Sequence, residues 1–288
     1  MSEPVLKAIM HLFAFVAKED LITNQERDHI RSFLENHLSQ KAVDTQLKLF
    51  DQFTSQLTGN LNAQQEDDTI NRICKEINEE VTQKQKIVIM IELMDIILAD
   101  GSISAREDSI AKTIGKAFNI ASEDIDVIKE YVLGATEPEF TSQSILIINS
   151  GLQPTGRYKH IFREGLNGLI AILYIKSTDI YFFKYIGQTD VFLNGVPHKP
   201  GNINVLGNGS TIRWEDADPV YYGDVLRLFK TMGSNTRTSF EAKNISYQFK
   251  NGRLGLRDVN IFEESGKLIA LMGASGAGKS TLLHVLNG

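Results

Sequence analysis

The sequence predicts a multidomain chain: an all-α helical bundle over residues 1–135, a β-sandwich over 136–236 and the start of an α/β domain over 237–288. The first region lacks proline from residue 5 to 136, and its apolar residues recur three and four apart, as in packed helices. The second breaks into short apolar runs separated by glycine, asparagine and proline. The third places a glycine-rich loop directly after an apolar run, the order of a strand, a phosphate loop and a helix.

Composition and charge limit the function classes. The chain has 288 residues, of which 42% are hydrophobic and 23% are charged, which is ordinary for a soluble globular protein. Its formal net charge is −6. Residues 1–135 carry 14 Lys and Arg against 23 Asp and Glu, a balance of −9, whereas residues 136–288 carry 16 against 13, a balance of +3. The acidic first region argues against a nucleic-acid partner, because binding to phosphates needs basic surface.

Cys74 is the one cysteine, so an intrachain disulfide and a cysteine zinc cluster are excluded. It lies in a helical pattern, and we expect a half-buried packing residue. The N-terminus lacks the basic segment of a secretory signal. The most apolar stretch, residues 87–99, is too short to span a bilayer and contains Glu92 and Asp95. These features predict a cytoplasmic location.

The helical region contains an internal repeat. Residues 23–26 (Thr-Asn-Gln-Glu) and 104–107 (Ser-Ala-Arg-Glu) both have the S/T-x-x-E pattern of a capping box, which starts a helix. Each follows a short acidic turn, at residues 17–22 and 99–103. The two copies are about 80 residues apart, which predicts a duplicated helical hairpin.

Residues 99–107 (Ala-Asp-Gly-Ser-Ile-Ser-Ala-Arg-Glu) resemble the signature turn of TerB-like tellurite-resistance domains, and the resemblance covers residues 1–135. It implies an all-helical bundle. It also implies a metal site, with Asp100 and Glu107 as candidates in the second copy and Asp20 and Glu26 in the first. The competing interpretation is that both glutamates cap helices and that Asp100 begins a turn. Capping is the favoured interpretation.

The β-rich region begins after a helix break at residues 137–139 (Glu-Pro-Glu). Turn-forming residues then divide it at intervals typical of a sandwich or barrel. The predicted strands are Ser144–Asn149, Leu169–Ile175, Ile180–Ile186, Val191–Leu193, Ile203–Leu206, Ser210–Trp214 and Val220–Phe229.

Residues 191–196 and 206–213 resemble the C-terminal half of a forkhead-associated (FHA) domain, a family that binds phosphothreonine peptides. Asn194-Gly195 corresponds to the family's Asn-Gly and Gly156-Arg157 to its Gly-Arg, but the Ser-x-x-His motif is missing. Asn-Gly is also the preferred sequence of a type I′ hairpin turn. We therefore expect a degenerate FHA-like domain with a structural or protein-binding role, and an active phosphopeptide reader is the alternative.

Residues 273–281 (Gly-Ala-Ser-Gly-Ala-Gly-Lys-Ser-Thr) form a Walker A motif. It lies between residues 268–272, a predicted buried strand, and residues 281–286, a predicted helix. Glycines allow backbone N–H groups to converge on phosphate oxygens, Lys279 can reach the β- and γ-phosphates, and the Ser280 hydroxyl can ligate Mg²⁺. The predicted phosphate-binding residues are Gly273, Ser275, Gly276, Ala277, Gly278, Lys279, Ser280 and Thr281.

The segments Ser239–Phe249, Leu256–Ile261 and Glu264–Leu268, followed by the Walker A motif, resemble the start of an ABC ATPase domain. The resemblance implies ATP as the nucleotide, with adenine stacked on an aromatic residue. Phe249 is the first candidate and Tyr247 the second; the alternative is that both rings belong to the core. The family hydrolyses ATP across a dimer, using elements that are not identifiable before Gly288. We therefore expect an N-terminal fragment without ATPase activity of its own.

The whole pattern predicts the ATP-binding component of an ABC transporter with accessory domains. Its expected partners are ATP, a second nucleotide-binding domain and a transmembrane domain downstream in the same chain, which would hold it at the inner face of the membrane. A non-transport ABC ATPase and a purely regulatory interaction module remain the alternatives. Apolar stretches of about 20 residues after Gly288 would indicate the transporter.

Overall fold

A computed structural model describes residues 3–17, 24–35, 38–56, 62–98, 103–152, 154, 156–215, 217–230, 239–264 and 268–287, and contains nine α-helices and eleven β-strands within those ranges. The chain divides into two units, residues 1–229 and residues 230–288.

Seven helices make up the first part of the larger unit. They are α1 (Glu3–Val16), α2 (Asn24–Glu35), α3 (Gln40–Gln56), α4 (Ala63–Asn78), α5 (Gln83–Ile97), α6 (Ala105–Ala117) and α7 (Ser122–Leu133). α1 lies at the centre and packs against α3, α4 and α5, so that most of its residues are buried. Cys74 on α4 is fully buried rather than half-buried, and burial raises the pKa of its thiol to about 12. The thiol is therefore an apolar packing group.

Within the residues that the structure describes, capping boxes start three of these helices. Ser104 Oγ accepts a hydrogen bond from the Glu107 backbone N–H at 3.2 Å, and Glu107 Oε2 accepts one from the Ser104 N–H at 2.8 Å, which confirms the second predicted box. Asn62 and Thr82 form two further boxes that were not predicted. Thr23 and the Glu26 side chain of the first predicted box lie outside the described residues.

Two sheets follow the helices. The first has the strand order β2-β1-β3-β4-β7, and only its β1–β2 pair is parallel. The second is antiparallel with the order β6-β5-β8-β9. The strands are β1 (Ile145–Asn149), β2 (Lys159–Phe162), β3 (Gly168–Ile175), β4 (Ile180–Gly187), β5 (Phe192–Leu193), β6 (Val196–Pro197), β7 (Ile203–Val205), β8 (Thr211–Arg213) and β9 (Val220–Tyr221).

Both faces of the five-stranded sheet are buried. Alternate side chains along a strand point to opposite faces, and Ile147, Ala171 and Phe182 belong to the same hydrophobic core as the helices. Their neighbours Ile148, Ile172 and Phe183 belong to a second core, which includes residues of the four-stranded sheet. The helical and β-rich regions therefore share one core across this sheet. The predicted boundary near residue 135 marks the change from helix to strand, with a 3₁₀ turn at Glu137–Glu139 between α7 and β1.

Polar contacts reinforce this junction at the C-terminal end of α7. The buried Lys184 on β4 donates from Nζ to the carbonyls of Val132 at 2.7 Å and Gly134 at 3.1 Å. Burial lowers the pKa of Lys184. The buried Tyr131 hydroxyl donates to the Ala171 carbonyl at 3.2 Å. A cation from the sheet thus satisfies helix-end carbonyls that lack partners within the helix.

The predicted strand at residues 220–229 is wrong beyond Tyr221. Tyr222–Lys230 form helix α8, whose residues Tyr222, Val225, Leu226 and Phe229 pack against the second core. Their spacing of three, four and seven is that of a helix face. The short parallel strand β2 was not predicted, because its residues Lys159–Phe162 are only partly buried and do not form an apolar run.

The smaller unit contains a hairpin of β10 (Ser239–Gln248) and β11 (Leu254–Glu264), followed by α9 (Lys279–Asn287). The prediction of a buried strand at residues 268–272 is wrong: these residues form no strand, and Leu268 and Met272 are at least nine-tenths exposed. A strand is held by hydrogen bonds to a neighbour, and among the described residues β10 and β11 pair only with each other.

Candidate functional site

The glycine-rich loop curls tightly before α9. Gly276 and Gly278 have φ angles of 83° and 89°, in the left-handed region that favours glycine. A side chain at Gly278 would also place its Cβ 3.0 Å from the Gly255 carbonyl oxygen, whereas Gly276 faces open space. The two glycines therefore allow the loop to turn and to approach β11 closely.

Lys279 is the first residue of α9, and its Nζ donates to the carbonyls of Gly273 at 2.7 Å and Ala274 at 2.8 Å. These bonds hold the ammonium group inside the curl of the loop. Because both acceptors are neutral carbonyls, an anionic phosphate is the better partner for this cation. The helix N-terminus that follows adds further positive potential.

The loop and the β10–β11 hairpin enclose a cavity of about 360 Å³. The loop and the start of α9 contribute Ser275, Gly276, Ala277, Gly278, Lys279, Ser280 and Thr281 to its lining, and the hairpin contributes Phe249, Arg253, Leu254 and Gly255. The predicted residues are thus brought together, apart from Gly273, whose carbonyl holds Lys279. Tyr247 does not line the cavity; its ring packs edge-on against Phe249, with 5.1 Å between centroids.

The motif does not predict Arg253, Leu254 and Gly255 as residues of the site. The signal was present in residues 250–252 (Lys-Asn-Gly), a turn sequence that folds β11 back beside Phe249. The Phe249 N–H donates to the Arg253 carbonyl at 2.9 Å, so the two residues lie opposite each other.

The lining has two chemical halves. One offers backbone N–H groups, the Lys279 ammonium and the hydroxyls of Ser280 and Thr281, a donor set suited to phosphates, with oxygen ligands for Mg²⁺. The other offers the ring of Phe249, a flat apolar surface for a base. No carboxylate is among the described residues that line the cavity. The residues present fit a nucleotide with its cation.

Of the acidic candidates for a metal site in the helical region, the structure describes the side chain of Glu107 alone. Glu107 is engaged in its capping box, and Asp20 and Asp100 lie outside the described residues. Across the described ranges, no group of three or more His, Cys, Asp or Glu side chains is arranged to hold a metal ion.

A second cavity, of about 580 Å³, lies between α2, α5 and the segment before β7. Its lining is mixed in charge: Asp28, His29, Arg31, Ser32, Phe33, Glu35, Glu92, Asp95, Lys199, Asn202 and Ile203. His29 Nδ1 lies 2.5 Å from Asp95 Oδ2, which ties α2 to α5. Burial raises the pKa of Glu92 to about 8, and the negative charge of Asp95 adds to the shift.

Glu92 should make the stability of the chain depend on pH. Its pKa in the folded state lies above its ordinary value of 4.5, so between pH 4.5 and 8 the folded state binds the proton more tightly than the unfolded state. Stability attributable to Glu92 therefore falls as pH rises through this window, by up to about 1.4 kcal/mol per pH unit. We expect the urea midpoint of Glu92→Gln to vary less with pH than that of the wild type. Above pH 8 the variant should have the higher urea midpoint.

Glu35→Gln is the matched control, because Glu35 is an exposed carboxylate lining the same cavity. If the slope of the urea midpoint against pH changes equally in the two variants, the effect is not specific to Glu92.

In the β-rich region, Asn194 and Gly195 have φ angles of 56° and 80°, as a type I′ hairpin turn requires. Asn194 Oδ1 accepts from the Thr211 N–H at 2.9 Å, and Asn194 Nδ2 donates to Ser210 Oγ at 3.4 Å. The amide thus joins the turn between β5 and β6 to the start of β8. Arg157 is exposed.

Comparisons with known proteins match the two ends of the chain. The family model described as tellurite resistance protein TerB matches residues 6–130, and the model described as ABC transporter matches residues 256–288. No solved structure matches the chain.

Among curated proteins, the chain is similar over a short stretch to the phosphonates import ATP-binding protein PhnC 1 of Halalkalibacterium halodurans. The two are 49% identical over 47 residues, which is 16% of this chain and 18% of that protein. The phosphonates import ATP-binding protein PhnC of Lactobacillus johnsonii is 47% identical over 47 residues, with the same coverage of 16% and 18%. The chain therefore spans about a fifth of the length of these relatives. None of the described helices is long and apolar enough to cross a membrane.

Proposed function

We propose that this chain, which carries a TerB domain and part of an ABC ATPase, is the ATP-binding component of an ABC transporter, with the TerB and β-rich regions as accessory domains. The observation that carries the proposal is the cavity between the Walker A loop and the hairpin, which joins a phosphate-binding loop to an aromatic residue. In this proposal Phe249 stacks on adenine, Lys279 contacts the β- and γ-phosphates, and Ser280 ligates Mg²⁺.

The match to the ABC family supports nucleotide binding in general, and two features of the cavity favour ATP with Mg²⁺ as the ligand. The cavity has the Phe249 ring on one side and the loop with Lys279 on the other. These two sides match the two parts of a nucleotide, its base and its phosphates. The adjacent Ser280 and Thr281 hydroxyls offer a hard oxygen ligand beside the phosphates. Isothermal titration of the 288-residue chain with ATP, with and without Mg²⁺, tests this. We expect saturable binding that Mg²⁺ strengthens, and no detectable heat with ATP–Mg²⁺ would refute the proposal.

Coupling to transport requires two partners, a second nucleotide-binding domain and a transmembrane domain, and places the protein at the inner face of the membrane. The name of the similar PhnC proteins, import ATP-binding proteins, supports this class. The acidic balance of the helical region weighs against ABC ATPases that act on nucleic acid.

Immunoprecipitation of the endogenous protein from detergent-solubilised membranes tests the coupling. Recovery of a polytopic membrane protein in an ATP-dependent manner supports transport. Recovery of only ribosomal or DNA-repair proteins supports the non-transport class.

The β-rich region, in the same proposal, is a degenerate FHA-like domain without phosphothreonine recognition. Its support is the Asn194 side chain, whose amide oxygen accepts from the Thr211 N–H at the start of β8 and whose amide nitrogen donates to Ser210. An anion needs several donors that converge on one point. We expect a phosphothreonine peptide library to show no binding to the chain near 1 μM, about −8 kcal/mol. Phosphate-dependent binding of that strength, weakened by Arg157→Ala, would contradict this.

A further inference from the structure

The nucleotide cavity contains a cationic side chain that the Walker A motif does not supply. Arg253 lines it from the hairpin, on the side opposite the loop. Among the described residues Arg253 forms no salt bridge, and no carboxylate lines the cavity. An exposed, unpaired arginine facing a cavity with a second cation, Lys279, suits a ligand with more than one negative charge.

The hairpin places Arg253 close to the base-binding end. Phe249 and Arg253 are opposite residues, joined by the bond from the Phe249 N–H to the Arg253 carbonyl at 2.9 Å. Side chains of directly opposite residues in a hairpin point to the same face. The guanidinium therefore emerges beside the Phe249 ring, whereas Lys279 lies on the loop at the other wall.

We propose, resting on the proposed function, that Arg253 binds the α-phosphate of the nucleotide. Three parts of the ligand then have separate partners: the base has Phe249, the α-phosphate has Arg253, and the β- and γ-phosphates have Lys279. The guanidinium carries several donors in a planar fork and keeps its charge at all physiological pH values. It therefore recognises the phosphate that ATP, ADP and AMP share and that adenosine lacks.

Isothermal titration of the full chain with ATP, ADP, AMP and adenosine tests the assignment. Arg253→Ala should weaken ATP, ADP and AMP binding by a similar factor of about ten, the value of one charge-assisted hydrogen bond. Adenosine binding should not change. Lys250→Ala is the matched control, because Lys250 is an exposed cation in the same turn that does not line the cavity. Its affinities should equal those of the wild type.

The outcomes separate this inference from the proposed function. A wild type that binds no ATP overturns both. A wild type that binds ATP, together with Arg253→Ala affinities equal to those of Lys250→Ala, overturns the role of Arg253 alone. If Arg253→Ala loses affinity for ATP and ADP but not for AMP, or loses affinity for adenosine to the same extent, the assignment to the α-phosphate is overturned. Because Arg253 is exposed, its replacement should leave the melting temperature unchanged, so a loss of affinity reports binding rather than folding.

Discussion

Lys279→Ala is expected to weaken ATP–Mg²⁺ binding by roughly 10- to 150-fold for each phosphate contact that it removes. Each charge-assisted hydrogen bond contributes about 1.5–3 kcal/mol. The Lys279 ammonium bonds to the Gly273 and Ala274 carbonyls, which positions it at the loop. Titration with ATP and with adenosine separates the effect on phosphates from any effect on the base, and adenosine should bind both proteins equally.

Lys243→Ala is a suitable control, because Lys243 is an exposed lysine of the same unit and pairs with Glu241 at 2.6 Å. It should bind ATP as the wild type does. Equal ATP affinity in Lys279→Ala and the wild type would remove the Walker A loop from nucleotide binding. Circular dichroism of both variants checks that the loop change leaves the fold intact.

Phe182→Ala should destabilise the helices as well as the sheet. Phe182 is 1% exposed and lies on the face of β4 that belongs to the core shared with the helices. Removing a buried phenyl ring typically costs about 3–5 kcal/mol. For a unit of this size, that shifts the melting temperature by about 10 °C.

Two probes report on the two sides of the sheet. Circular dichroism at the helical minimum follows mainly α1–α7, and the fluorescence of Trp214, the one tryptophan, follows the second core. We expect both midpoints to fall together in Phe182→Ala. An unchanged helical midpoint would instead show that residues 1–135 fold independently, as the predicted boundary implies. Phe262→Ala, at an exposed position of the smaller unit, should leave both midpoints in place.

Much of the fold was readable from local pattern. Apolar spacing and the Ser104 capping box predicted the helices, because each of these signals involves residues only a few positions apart in the sequence. Apolar runs such as the one within Ser144–Asn149 predicted strands, and the burial of Ile145–Asn149 on both faces explains why this run does not alternate with polar residues. The error at residues 222–229 arose where aromatic and β-branched residues suggested a strand, although their spacing is helical.

The candidate site was predictable only in part. The phosphate loop is a contiguous motif, and Phe249 precedes a recognisable turn. Arg253 carries no motif, and only the hairpin geometry brings it to the cavity. The second cavity could not be predicted from local sequence patterns, because it is lined by α2, α5 and the segment at Lys199, which are distant in the sequence. The raised pKa of Glu92 depends on that assembly.

The shared sheet also has a consequence for synthesis on the ribosome. The helical bundle α1–α7 ends at Leu133, yet its core is completed by β3 and β4, and Phe182 is made about 50 residues later. At roughly 5–20 residues per second, the apolar face of the helical bundle stays uncovered for several seconds after its last helix is translated. During that interval the nascent chain presents a hydrophobic surface that a ribosome-associated chaperone can bind. Slower translation between residues 133 and 182 lengthens this exposure, so codon choice there is expected to influence the yield of folded protein.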